Sequence, residues 1–111
     1  MMINPDTLKR AVELAIGFEW LDYNYIKVDL GVDHLPVVLP IDTPVTKAAL
    51  AAQLVRQVED AGYEPVTRRG HTIIRGIPNY SNPVASAQGD DRTKNTINAI
   101  VLFANANPGV M

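Results

Sequence analysis

The chain has 111 residues, no cysteine, a formal net charge of −2, and 47% apolar against 20% charged residues. This is the size and composition of one globular domain, and it excludes disulfide frameworks, thiolate metal sites and thiol nucleophiles. No apolar run approaches the ~20 residues that a membrane span requires, the stretch MMINPDTLKR lacks the apolar core of a signal peptide, and a cytoplasmic protein without membrane partners is expected.

The first helix is predicted from Asn4-Pro5-Asp6. Asn4 supplies a capping oxygen, Pro5 occupies the first helical position where its missing N–H costs nothing, and Asp6 suits the positive end of the dipole. Leu8, Ala11, Val12, Ala15 and Ile16 form its apolar stripe, and Gly17 ends it or lets it fray through Phe18-Glu19-Trp20. The aromatic cluster Phe18, Trp20, Tyr23 and Tyr25 holds the only tryptophan and two of the four tyrosines. It is either a plug between the helix and a sheet or a surface for a ligand or partner.

Residues Tyr23 to Leu30 alternate, with Ile26, Val28 and Leu30 on one side and Tyr25, Lys27 and Asp29 on the other, as in a strand with one wet face. In GVDHLPVVLPID, Pro36 and Pro40 bracket Val37-Val38-Leu39, which suits an edge strand or an extended connection because proline donates nothing to a ladder.

Thr43 to Gly62 reads as the central helix: Thr43 caps, Pro44 starts and Gly62 stops it. Leu50, Leu54, Val58 and Ala61 repeat at helical spacing, widened by Ala51 and Val55, while Lys47, Gln53, Arg56, Gln57 and Asp60 are assigned to the wet side. Tyr63 to Arg69 and His71 to Ile77 come next as a hairpin turning near Gly70, with Pro65 meaning that its first strand begins at an edge or one residue later. Residues 76–89 are small, polar and proline-bearing and read as a long loop, a length associated with function. Asp90 or Asp91 then caps a last helix with the stripe Ile97, Ile100, Val101 and Ala104, beside Ala99 and Phe103, which Asn105 to Pro108 stops. The expected fold is α+β, a single-domain layered sandwich over residues 1–111, with about three helices on one small, mainly antiparallel sheet in the order α-β-(β)-α-β-β-α.

Three stretches, AVELAIGFEW, AALAAQLVRQVEDAGY and GDDRTKNTINAIVLFA, together with the strands between the last two, resemble the phage α-β-α sandwich family of small bacteriophage proteins. The resemblance implies a phage-encoded accessory protein acting in the host cytoplasm. It also brings in the class of phage proteins that inhibit host defence, by gripping a host protein or by sequestering a nucleotide signal.

Catalysis has little to work with. The only histidines, His34 and His71, stand in no recognisable catalytic motif, and Asp90 and Asp91 are most simply a helix cap. Asp29, Asp33 and His34 are the one combination with metal-ligating chemistry, and solvated charges at a strand end explain them equally well. No cofactor is expected.

The positive residues are more specific. Residues 63–111 carry five basic and three acidic side chains, against three and six in residues 1–34. Arg68, Arg69 and His71 surround the hairpin turn, Arg75 lies on the next strand, and Arg92 and Lys94 open the last helix beside free N–H groups. Brought together, these six would suit a phosphate or an acidic surface; apart, they are solvated charges that guard an edge. Duplex nucleic acid is disfavoured because no strong basic stripe is present. Two binding readings therefore stand beside an enzyme reading with no visible nucleophile and base. One is a protein partner held through Trp20, Tyr23, Tyr25 and Tyr80; the other is a small anionic ligand held by the arginines. An unprotected sheet edge adds the expectation of a homodimer.

Overall fold

The computed structural model describes residues 3–29, 35–76 and 83–110. Three helices, α1 (Pro5–Leu14), α2 (Pro44–Asp60) and α3 (Arg92–Ala106), alternate with six strands. These are β1 (Phe18–Trp20), β2 (Tyr25–Val28), β3 (Val37–Pro40), β4 (Tyr63–Arg68), β5 (His71–Gly76) and β6 (Pro83–Gln88). The class is α+β as expected, but the strands form two antiparallel three-stranded sheets, β1-β2-β3 and β4-β5-β6, where the sequence pattern predicts one.

Helix starts match the sequence closely. Asn4 Oδ1 accepts from Asp6 N (2.9 Å) and Thr7 N (3.4 Å), Thr43 Oγ1 from Thr46 N (3.2 Å), and Asp91 Oδ1 from Lys94 N (3.1 Å). Gly62, at φ +90°, ends α2. The end of α1 differs from expectation. Ala15 is extended (ψ 121°) and Gly17 takes φ +87°, so the chain leaves the helix and Phe18–Trp20 pairs with β2 as a strand. A side chain at position 17 would put its Cβ 2.9 Å from Asp29 O, which explains glycine there. The same swerve carries Ile16 off the predicted stripe and leaves it 73% exposed.

Residues 83–88, predicted as loop, form β6. Apart from Val84 its residues lack the branched or aromatic side chains that mark strands, yet the small ones are what the packing requires. Ala85 and Ala87 pair with Ile74 and Thr72, and both lie partly buried against the core. Such small residues let a helix approach the sheet closely.

One apolar cluster joins the elements, with Val12 from α1, Ile26 from β2, Leu54 from α2, Ile74 from β5, and Ile100 and Phe103 from α3 all fully buried. The first sheet leans on α1 through β1, while α3 packs on β5 and β6 and α2 on β4 and α3. Tyr63 packs against Phe103 with the rings tilted by 57° and their centroids 4.7 Å apart. Gln57, assigned to the wet side of α2, is buried; its amide lies across the end of α1, where it satisfies backbone groups that the helix leaves open.

Ladder parity locates the open backbone groups. Ile41 N donates to Asn24 O (2.9 Å), so Ile26/Leu39 and Val28/Val37 are the hydrogen-bonded pairs. Val38 and Pro40, and Pro36 one step earlier, therefore face outward from β3. In the second sheet Gly89 N donates to Gly70 O (3.0 Å), which directs residues 71, 73 and 75 toward β4 and leaves Tyr63, Pro65 and Thr67 facing out from its edge. The prolines of both edge strands occupy positions whose N–H would otherwise point into solvent.

Candidate functional site

Trp20 and Tyr23 frame an apolar depression. Trp20 ends β1, with its side chain on the sheet face that also carries Phe18, Ile26 and Val28, and is half-buried against the core. Tyr23 lies in the turn to β2 and meets Trp20 edge to face, centroids 5.2 Å apart at 84°. That turn is held by Asp22, whose Oδ1 accepts from Asn24 N (2.7 Å) and Tyr25 N (2.9 Å). Ile3, Pro5 and Leu8 at the start of α1 and Ile41 before α2 complete a cleft of about 100 Å³. At its rim Lys47 Nζ donates to Asp42 Oδ1 (2.8 Å), and Lys9 Nζ stands 6.0 Å from the Trp20 ring centroid.

The aromatic cluster is split by burial. Phe18 and Trp20 pack against the core, whereas Tyr23 is 62% and Tyr25 47% exposed. Leu21, between Trp20 and Tyr23, is also exposed, and of the exposed three only Tyr23 lines the cleft, Tyr25 being on the other face of the sheet. Tyr80, the fourth residue assigned to a partner surface, lies outside the described residues. The sequence carries no sign that Ile3, Pro5 and Ile41, from separate segments, wall this cleft.

The six basic residues are distributed over several elements. Register places Arg68, His71 and Arg75 on the outer face of the second sheet, opposite the face of Thr67, Thr72 and Ile74. Arg92 and Lys94 open α3, which lies on the inner face, where Thr67 Oγ1 is 3.4 Å from Thr96 Oγ1. The hairpin turn does reach the start of α3 through the bond from Gly89 N to Gly70 O, placing Arg69 at that end. The capping N–H of Lys94 is taken by Asp91. Arg75 is at the far end of β5, directly opposite Glu64.

No family model, curated protein or solved structure matches this chain. Its own chemistry is therefore the guide to the site. Of the proposed metal ligands, Asp33 and His34 lie outside the described residues, and among the described residues no three His, Asp or Glu side chains are placed to hold a metal. No helix among them is long and apolar enough to cross a membrane.

Proposed function

We propose that this protein is a non-enzymatic binding protein that takes an apolar side chain of a protein partner into the Trp20/Tyr23 cleft. The observation that carries this reading is the cleft itself, about 100 Å³, smaller than the ~300 Å³ at which small-molecule pockets begin and comparable to the cavity left by one large aliphatic side chain. Trp20 and exposed Tyr23, with exposed Leu21 in the same turn, give it the kind of aromatic wall from which interface hot spots are built. The resemblance to the phage α-β-α sandwich family extends the proposal: a phage accessory protein in the host cytoplasm, its partner a host protein, with inhibition of host defence as the outcome. A homodimer belongs to the same proposal, and prolines at the outward positions of β3 and β4 direct it toward β1 or β6.

The test is capture from host lysate on immobilised protein, compared with Tyr23→Asp and Leu21→Asp. Both side chains are exposed, so both variants should fold. A partner retained by the parent and lost by both variants supports the cleft, and a partner retained equally by all three overturns it.

A further inference from the structure

The outer face of the second sheet carries a row of donors. Arg68 is paired with His71, and His71 with Gln88, so the three stand side by side across β4, β5 and β6. Ladder parity makes the first a hydrogen-bonded pair and the second a non-hydrogen-bonded pair, so the three Cα atoms span about 10 Å. Arg68 and Gln88 are exposed and His71 half-exposed. Among the described residues no hydrogen bond or ion pair engages these three side chains. The next row on the same face, Val66, Ile73 and Ser86, lies about 7 Å further along the strands and is apolar apart from one hydroxyl.

Charge at this end is positive although the chain as a whole is at −2. Arg68, Arg69, Arg92 and Lys94 outnumber the two carboxylates of this part of the chain, Asp90 and Asp91, and Asp91 is committed to the cap of α3. Asp90 stands beside Gln88 in a hollow of about 260 Å³ behind the row. On the outer face itself, Glu64 is opposite Arg75, four residues or about 13 Å along β4 from Arg68.

We propose that this face binds a phosphate monoester, its anion on Arg68, His71 and Gln88 and its organic group along Val66, Ile73 and Ser86. A guanidinium fork with an imidazole and an amide donor suits a tetrahedral oxyanion, and the apolar row gives a flat organic group something to lie on. The site is separate from the Trp20/Tyr23 cleft, on another sheet, and does not depend on it.

Titration of ¹⁵N-labelled protein with inorganic phosphate and with phenyl phosphate, at ionic strength held constant with chloride, tests this. The amides of residues 66–73 and 86–89 should shift, with phenyl phosphate bound about tenfold more tightly than phosphate, a difference of ~1.4 kcal/mol. Arg68→Gln should weaken both anions about tenfold, Val66→Ser should remove only the advantage of phenyl phosphate, and Arg92→Gln, on the inner-face helix, should change neither. Shifts no larger than with chloride, or an equal loss in Arg92→Gln, would overturn the site. Equal affinity for the two anions would overturn the placing of the organic group.

Discussion

Gln57 and Ile16 are 41 residues apart in sequence and joined by a 2.8 Å hydrogen bond from Ile16 N to Gln57 Oε1. The same amide donates to Leu14 O at 2.8 Å and accepts from Gln53 Nε2 at 3.0 Å. One side chain on α2 thereby supplies both partners that the chain needs where α1 stops and the first sheet begins. Gln57→Leu keeps the bulk and leaves both backbone groups without a partner. It is expected to lower stability by about 2–4 kcal/mol, as urea unfolding would show; a loss below ~0.5 kcal/mol would mean that water replaces the amide without cost.

The edge prolines make a prediction about association. Replacing Pro36 and Pro40 by threonine restores two outward N–H groups on either side of Val38, on an edge whose Leu35 is 86% and Val38 56% exposed. The doubly substituted chain should self-associate at concentrations where the parent keeps its mass by light scattering, while its unfolding midpoint at low concentration changes little. An unchanged mass would show that the prolines are dispensable for keeping the edge open.

Gly89 has φ +154°, and a Cβ built on it would lie 2.9 Å from Asn95 Oδ1. Asn95 is buried and cannot swing away freely, because its Nδ2 donates to Gly89 O at 2.8 Å. Gly89→Ala should cost about 1–3 kcal/mol. Combining it with Asn95→Ala should cost less than the sum of the two single changes, since the clash then disappears. Strict additivity in thermal or urea unfolding would place the cost in the backbone alone.

Trp20 and Tyr23 should show a measurable coupling. Their edge-to-face contact is expected to give about 0.5–1.5 kcal/mol in a double-mutant cycle with leucine at position 20 and alanine at 23. Tyr23→Ala alone should be mild because the side chain is mostly exposed. A coupling near zero would show that Tyr23 is free to leave the ring, and would weaken its place in the cleft wall.

How much of the fold and site is legible in the sequence depends on whether the signal is local. Caps are local: a side-chain oxygen two or three residues from its N–H partner suffices, so Asn4, Thr43 and Asp91 can be read directly. Gly17 reads as a weak point in a helix, but the pairing of Phe18 with Val28 that makes a strand of Phe18–Trp20 is a tertiary fact. The strand β6 escapes the pattern because its residues are chosen for closeness to a helix and carry little strand propensity of their own. Gln57 looks solvent-facing if its polarity is taken at face value; its partners lie at the end of another helix. Likewise the basic residues stand out in the sequence, but their division between the two faces of a sheet is a matter of register, and Gln88 joins Arg68 and His71 only through the existence of β6.

The chain passes between its two sheets once, through Ile41–Thr43. All of α1 and the first sheet lies before that point, and α2, the second sheet and α3 lie after it. The earlier part is the smaller and is held to the rest by packing and a few polar ties such as Gln57. It therefore has the makings of a cooperative unit that opens by itself. In native-state hydrogen exchange, the amides of β2 should report a lower opening free energy than those of β5 and α3. If so, the Trp20/Tyr23 cleft belongs to the part of the molecule that can rearrange around a partner while the second sheet stays folded.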